Sequence, residues 1–173
     1  VFIIMARKSS LQNLAYEIPR LKLNLVREGG DRKRSFTINT PRDAAVFFEP
    51  LAMAPEEHFV AIHLNTRNQV IGLHEVSHGT LSASLVHPRE VYKAALVANS
   101  HSIIVCHNHP SGADVLPSAD DLATTRTLHA AGRLLGVNLI DHVIVGPENV
   151  DDWYSFRESF PEIWNQESEI LRH

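Results

Sequence analysis

Cysteine is nearly absent, since the 173 residues hold one, Cys106. A single thiol excludes an internal disulfide framework and every zinc site built on two or more cysteines, and it suits a reducing compartment. Long apolar runs are missing as well, and no window approaches the ~20 apolar residues of a membrane span. The opening Val1-Phe-Ile-Ile-Met5 is shorter than the about 7–15 apolar residues of a signal-peptide core, and its basic residues, Arg7 and Lys8, follow it instead of leading. Met5 reads as a start position, and a soluble cytoplasmic protein with no membrane attachment is expected. There is no excess of positive charge. Sixteen Lys and Arg face twenty Asp and Glu, a formal net charge of −4, which argues against a dedicated binder of nucleic acid or anionic lipid. Internal repeats, low-complexity stretches and a linker long enough to separate a pair of domains are also lacking.

What remains is an ordinary globular composition, 44% hydrophobic and 21% charged, at a length that favours one domain. Histidine is the exception, with eleven in so short a chain.

From Ile18 to Ile38 the residues alternate around Glu28-Gly-Gly-Asp31, a β-hairpin pattern. Its return strand carries Arg32-Lys33-Arg34, either a solvated edge that resists aggregation or a local contact for DNA. The outer edge, Leu21 to Val26, could pair between subunits. Thr40-Pro41-Arg42-Asp43 announces a helix through Met53, bent or ended at Pro50. His58 to Leu64 is an apolar strand, turned back by Asn65-Thr-Arg-Asn68 into a second strand, Gln69 to His78. His87-Pro88-Arg-Glu90 opens a helix through Ala98, and Ile103 to Cys106 is a short buried strand. Ser118 to Leu135 is the longest helix, closed by Gly136. Val137 to Val145 is a further strand, and the tail beyond Trp153 reads as helical. The expected fold class is α/β, one mixed β-sheet flanked by helices.

Two segments invite a metal reading. The first is a literal H-E-x-x-H, His74-Glu75-Val76-Ser77-His78, whose chemistry needs a helix to bring both rings to one ion. It lies between Gly72 and Gly79 in a β-rich run, too short for that helix. On a strand the two histidines stand about 13 Å apart at ~3.3 Å per residue, so they cannot share a metal whose bonds are about 2 Å.

The second is Cys106-His107-Asn108-His109-Pro110-Ser-Gly112, followed by Pro117-Ser118-Ala-Asp120-Asp121. At the end of a strand, residues i and i+2 share a face about 6.6 Å apart, a gap two imidazoles can close. A third ligand must come from elsewhere, and Asp121, in the first turn of the next helix, is the natural donor. Ser118 with Asp121 is equally a capping box, which helix formation alone would explain. Two histidines and a carboxylate without thiolate point to zinc in an open, catalytic type of site. Cys106 reads as strand packing.

Taken together, Gly79-Thr-Leu-Ser-Ala-Ser-Leu-Val-His-Pro-Arg-Glu90, His107-Asn-His-Pro-Ser-Gly112, Ala131-Gly-Arg-Leu-Leu-Gly136 and Asp141-His-Val-Ile-Val-Gly146 resemble RadC-type proteins of the JAMM (JAB, MPN-type) metalloprotease superfamily. The likeness runs from about Thr40 to Val150. It implies a cytidine-deaminase-like α/β fold for residues 40–150; beside it, residues 1–39 read as a tail and hairpin packed on that core and 151–173 as a helical C-terminal tail. It implies zinc on His107, His109 and Asp121, a serine that polarises the scissile carbonyl at Ser118, and a general-base glutamate at Glu57, with Glu56 as the alternative. Eight residues separate His109 from Ser118, one more than the family's usual spacing, which sets Asp120 and Asp114 beside Asp121 as candidates. Asn108, Ser111 and His142 are candidates to orient the imidazoles from behind. No helix-hairpin-helix segment is recognisable before Thr40, which marks a short form. The function implied is zinc-dependent peptidase or isopeptidase chemistry on an unidentified peptide or protein. A non-enzymatic accessory role in DNA repair or recombination is the alternative.

Overall fold

The computed structural model describes residues 29, 36–79, 86–110, 115–147 and 151–165. The hairpin before Phe36, its basic triplet, Ser111, Asp114 and the last eight residues therefore lie outside the described residues. Thr37 forms an isolated antiparallel bridge with Gln69.

Five strands form one sheet: β1 (His58–Leu64), β2 (Val70–His78), β3 (Ser102–Asn108), β4 (Asn138–Val145) and β5 (Trp153–Ser155). Their order is β2-β1-β3-β4-β5. Only the β3–β4 pair is parallel. A parallel neighbour needs a crossover, which the longest helix supplies. The sheet is thus mixed and helix-flanked, as the sequence predicts.

Helix α1 (Pro41–Ala52) starts at a Thr40/Asp43 capping box, and α2 (Pro88–Val97) starts at His87, whose ring accepts from Arg89 N–H. The crossover α3 (Ala119–Leu135) starts at Ser118 and ends at Gly136 in the left-handed conformation, φ 70°. Two short helices, α4 (Phe156–Ser159) and α5 (Glu162–Asn165), follow β5. One alternative is settled and one boundary departs from expectation. Helix α1 runs through Pro50, because with only Leu51 and Ala52 beyond it the missing N–H interrupts no long ladder. The tail opens with a strand, β5, which pairs with Val143 to Val145.

Period-two alternation splits the core into two layers. Val60, Ile62, Leu64, Ile104 and Cys106 pack with Ala44, Ala45, Phe48 and Ala52 on the α1 side. Phe59, Ala61, Ile103 and Val105 pack with Val91, Tyr92, Ala95 and Leu128 on the side of α2 and α3. Strand β3 is buried along its whole length, including His107 and Asn108.

Candidate metal centre

His107 follows Ile103 and Val105 in the alternation, so it leaves β3 on the α2/α3 side, stacked 6.0 Å from Phe59. Cys106 leaves on the opposite side, within the α1 layer, where burial holds its thiol protonated. The thiol is thus strand packing, on the face away from His107.

His107 Nε2 and His109 Nε2 lie 3.2 Å apart. Glu57, immediately before β1, brings a carboxylate oxygen into the same cluster: one ligand atom from each of Glu57, His107 and His109 lies within 4.8 Å of the others. Three backbone bonds hold the Glu57 segment. Asn108, fully buried on the reverse side of β3, accepts from His58 N–H at 2.8 Å and donates to the Glu56 carbonyl at 3.0 Å. Gly79 N–H donates to the Glu57 carbonyl at 2.9 Å.

Asp121 arrives from the first turn of α3, its Oδ1 3.5 Å from His107 Nε2. Its two oxygens divide the work that the sequence left ambiguous. Oδ2 accepts from Ser118 N–H (2.8 Å) and Ser118 Oγ–H (2.6 Å), completing the capping box, while Oδ1 faces the histidine. Ser118 is thus the N-cap of α3, joined to the cluster through the Asp121 carboxylate.

Two ligand atoms about 2.0–2.1 Å from one tetrahedral zinc stand roughly 3.3 Å apart. The 3.2 Å between the His107 and His109 nitrogens and the 3.5 Å from His107 to Asp121 Oδ1 are each close to that edge, while the group whose ligand atoms all lie within 4.8 Å of one another is Glu57, His107 and His109. Burial is complete for His107 and holds its pKa below the ordinary histidine value, so the ring is neutral and able to offer a lone pair.

Behind His107 stands His142, one of three candidates among which the sequence could not choose. His107 Nδ1 is 2.8 Å from His142 Nε2, and His142 Nδ1 is 2.7 Å from Thr125 Oγ1, a residue that sequence reasoning missed. His142 comes from β4 through a register shift opposite Ile103 and Ile104. The shift inserts Ile140, so Leu139 and His142 face the α2/α3 side while Val143 joins the α1 layer. The Asp-His pair of Asp141-His142 hints at such a residue, but the inversion of faces is not visible in Asn138-Leu-Ile-Asp-His-Val-Ile-Val145.

The H-E-x-x-H segment lies on β2, as its length requires. His74 turns to His63, Nδ1 to Nε2 at 2.9 Å, whereas Glu75 pairs with His58. His74 and His78 thus have different partners, His63 for the one and Glu75 for the other.

A mixed sheet in this order, with His-x-His leaving its central strand and an acid in the first turn of the crossover helix, defines a JAB/MPN-type α/β domain. Within that class the chain belongs to the RadC-like JAB domain family, whose match covers residues 38–161. It is 47% identical over 117 residues to a UPF0758 protein of Bacillus licheniformis, covering 67% of this chain and 52% of the relative. A UPF0758 protein of Shouchella clausii is 50% identical over 110 residues, covering 63% and 47%. One from Clostridium novyi is 47% identical over 115 residues, covering 66% and 50%. The chain spans about half the length of these relatives. Membership is compatible with metal-dependent hydrolysis. Among the described residues, no helix is long and apolar enough to cross a membrane.

Proposed function

We propose that this domain is a zinc-dependent peptidase or isopeptidase-like hydrolase, with His107, His109 and Asp121 as the protein ligands. The observation that carries the reading is the convergence of Glu57, His107 and His109, their ligand atoms within 4.8 Å of one another, with Asp121 Oδ1 approaching His107 Nε2 to 3.5 Å from the first turn of α3. Zinc in such a site polarises a carbonyl and brings the pKa of water down to about 7. The rest falls to the chain. The Glu57 carboxylate, within 4.8 Å of both histidine ligand atoms, takes a proton from the attacking water and returns it to the leaving amine nitrogen. The Ser118 hydroxyl, beside Asp121, turns from its cap to donate to the developing oxyanion. The substrate is a peptide or protein, processed where the protein is expected to reside, in the cytoplasm.

Metal analysis and a peptide-library screen test this together. Wild type should carry near-stoichiometric zinc, and His107→Ala/His109→Ala should carry none. Glu57→Gln should retain zinc and lose about 10²–10⁴ in turnover. Wild type free of zinc after loading, or Glu57→Gln at full turnover, would overturn the assignment.

A further inference from the structure

We infer that Thr125, acting through His142, sets the tautomer of His107 and so keeps the Nε2 lone pair of that ligand turned to the metal. The inference rests on the zinc reading and assigns it two positioning residues remote from the ion.

The polarity of the chain follows from its far end. Thr125 Oγ1 lies 2.6 Å from the Asp121 carbonyl oxygen, which can only accept. The single hydroxyl proton is therefore spent there. Thr125 Oγ1 also lies 2.7 Å from His142 Nδ1, so at that contact the hydroxyl accepts and His142 Nδ1–H donates. His142 is fully buried, stacked on Phe156 at 4.4 Å, and no carboxylate hydrogen-bonds its ring among the described residues. A neutral imidazole carries one N–H, so Nε2 of His142 is an acceptor. His107 Nδ1, 2.8 Å away, must then donate. That leaves His107 Nε2 unprotonated, the atom that faces His109 and Asp121.

The bonds run from β3 through β4 to α3 and end on the backbone of Asp121, whose carboxylate meets His107 Nε2. Thr125 thus couples the orientation of one ligand to the backbone of another. A serine in its place keeps the hydroxyl, whereas the isosteric valine removes it. With valine, His142 Nδ1–H would be a buried donor without an acceptor. The less costly arrangement moves the proton to His142 Nε2, which donates to His107 Nδ1 and forces the His107 proton onto Nε2.

Two readouts test this on the full chain. Long-range proton–nitrogen correlation spectra of ion-free protein at neutral pH report the His107 tautomer, and competition with a chromophoric chelator reports zinc affinity. Wild type and Thr125→Ser should hold the proton on Nδ1, and Thr125→Val should shift it to Nε2 and weaken zinc about 10- to 100-fold. His142→Gln, whose amide can accept from His107 and donate to Thr125, should retain more affinity than His142→Leu. Wild type with the proton on Nε2, Thr125→Val at wild-type affinity, or Thr125→Ser as weak as Thr125→Val would overturn the inference. Should Thr125→Val not fold, the serine variant and the Gln/Leu pair still decide it. Wild type with the stated tautomer but no zinc would reject the hydrolase reading and leave the hydrogen-bond polarity standing.

Discussion

His63 is 3% exposed, between His74 on Nε2 and Ser100 on Nδ1. Burial first, and the neighbouring His74 second, push its pKa down to about 4. An unfolded histidine titrates near 6.5, so between pH 6.5 and 4 the unfolded chain binds more protons and stability must fall as pH falls. Asp141 acts in the opposite sense, because burial raises its carboxyl to about 6 against the donors Ser155, Arg157 and His142. The readable quantity is therefore a difference. Over that window the urea midpoint of wild type should drop further than that of His63→Gln, by the equivalent of about 2 kcal/mol. Equal slopes would reject the assignment. Which polar residues matter was only partly legible at this scale. Thr40-x-x-Asp43 and Ser118-x-x-Asp121 are the same signal, and both form capping boxes. Only the approach of His107 to Asp121 Oδ1 sets the second box apart from the first, and that contact joins residues from different elements.

Elements with a clear period were legible, and those shaped by their neighbours were not. The apolar run of His58 to Leu64 and the caps of α1 and α3 correspond to what forms. Strand β3 is longer than its apolar run, because His107 and Asn108 are polar by type yet buried with their polar atoms bonded. Strand β5 has three residues, too few to show a period. Glycine in helix α3 is a comparable case. Nothing local to Gly132 explains it, but a Cβ there would collide with the Tyr92 hydroxyl of α2 and the Val137 carbonyl. Tyr92 is 1% exposed and its hydroxyl donates to the Leu128 carbonyl at 2.8 Å, so it has no room to yield. Gly132→Ala should therefore cost about 1–3 kcal/mol through overpacking, read as a lower denaturation midpoint at unchanged m-value. Gly136→Ala, strained only by its left-handed φ of 70°, should cost about 1 kcal/mol. A larger loss at Gly136 than at Gly132 would show that the contact with Tyr92 is not the constraint.

For the molecule as a whole, the candidate centre ties together the approach to β1, the end of β3 and the start of α3. No one of these elements holds the set, so an ion bound there favours the folded chain over the unfolded one. With free zinc at 100 times its dissociation constant, that linkage amounts to about 2.7 kcal/mol. For a domain of this size each kcal/mol moves the melting temperature by about 2–4 °C, so saturation should raise it by about 5–10 °C. A chelator should reverse the shift, and His107→Ala/His109→Ala should not show it. The double variant is the decisive comparison because the chain has eleven histidines. His58, Glu75 and His78 also gather on the surface of β1 and β2. A shift of equal size in that variant would place the stabilising ion at such a surface group, or at none in particular, and would separate metal binding from the proposed hydrolytic centre.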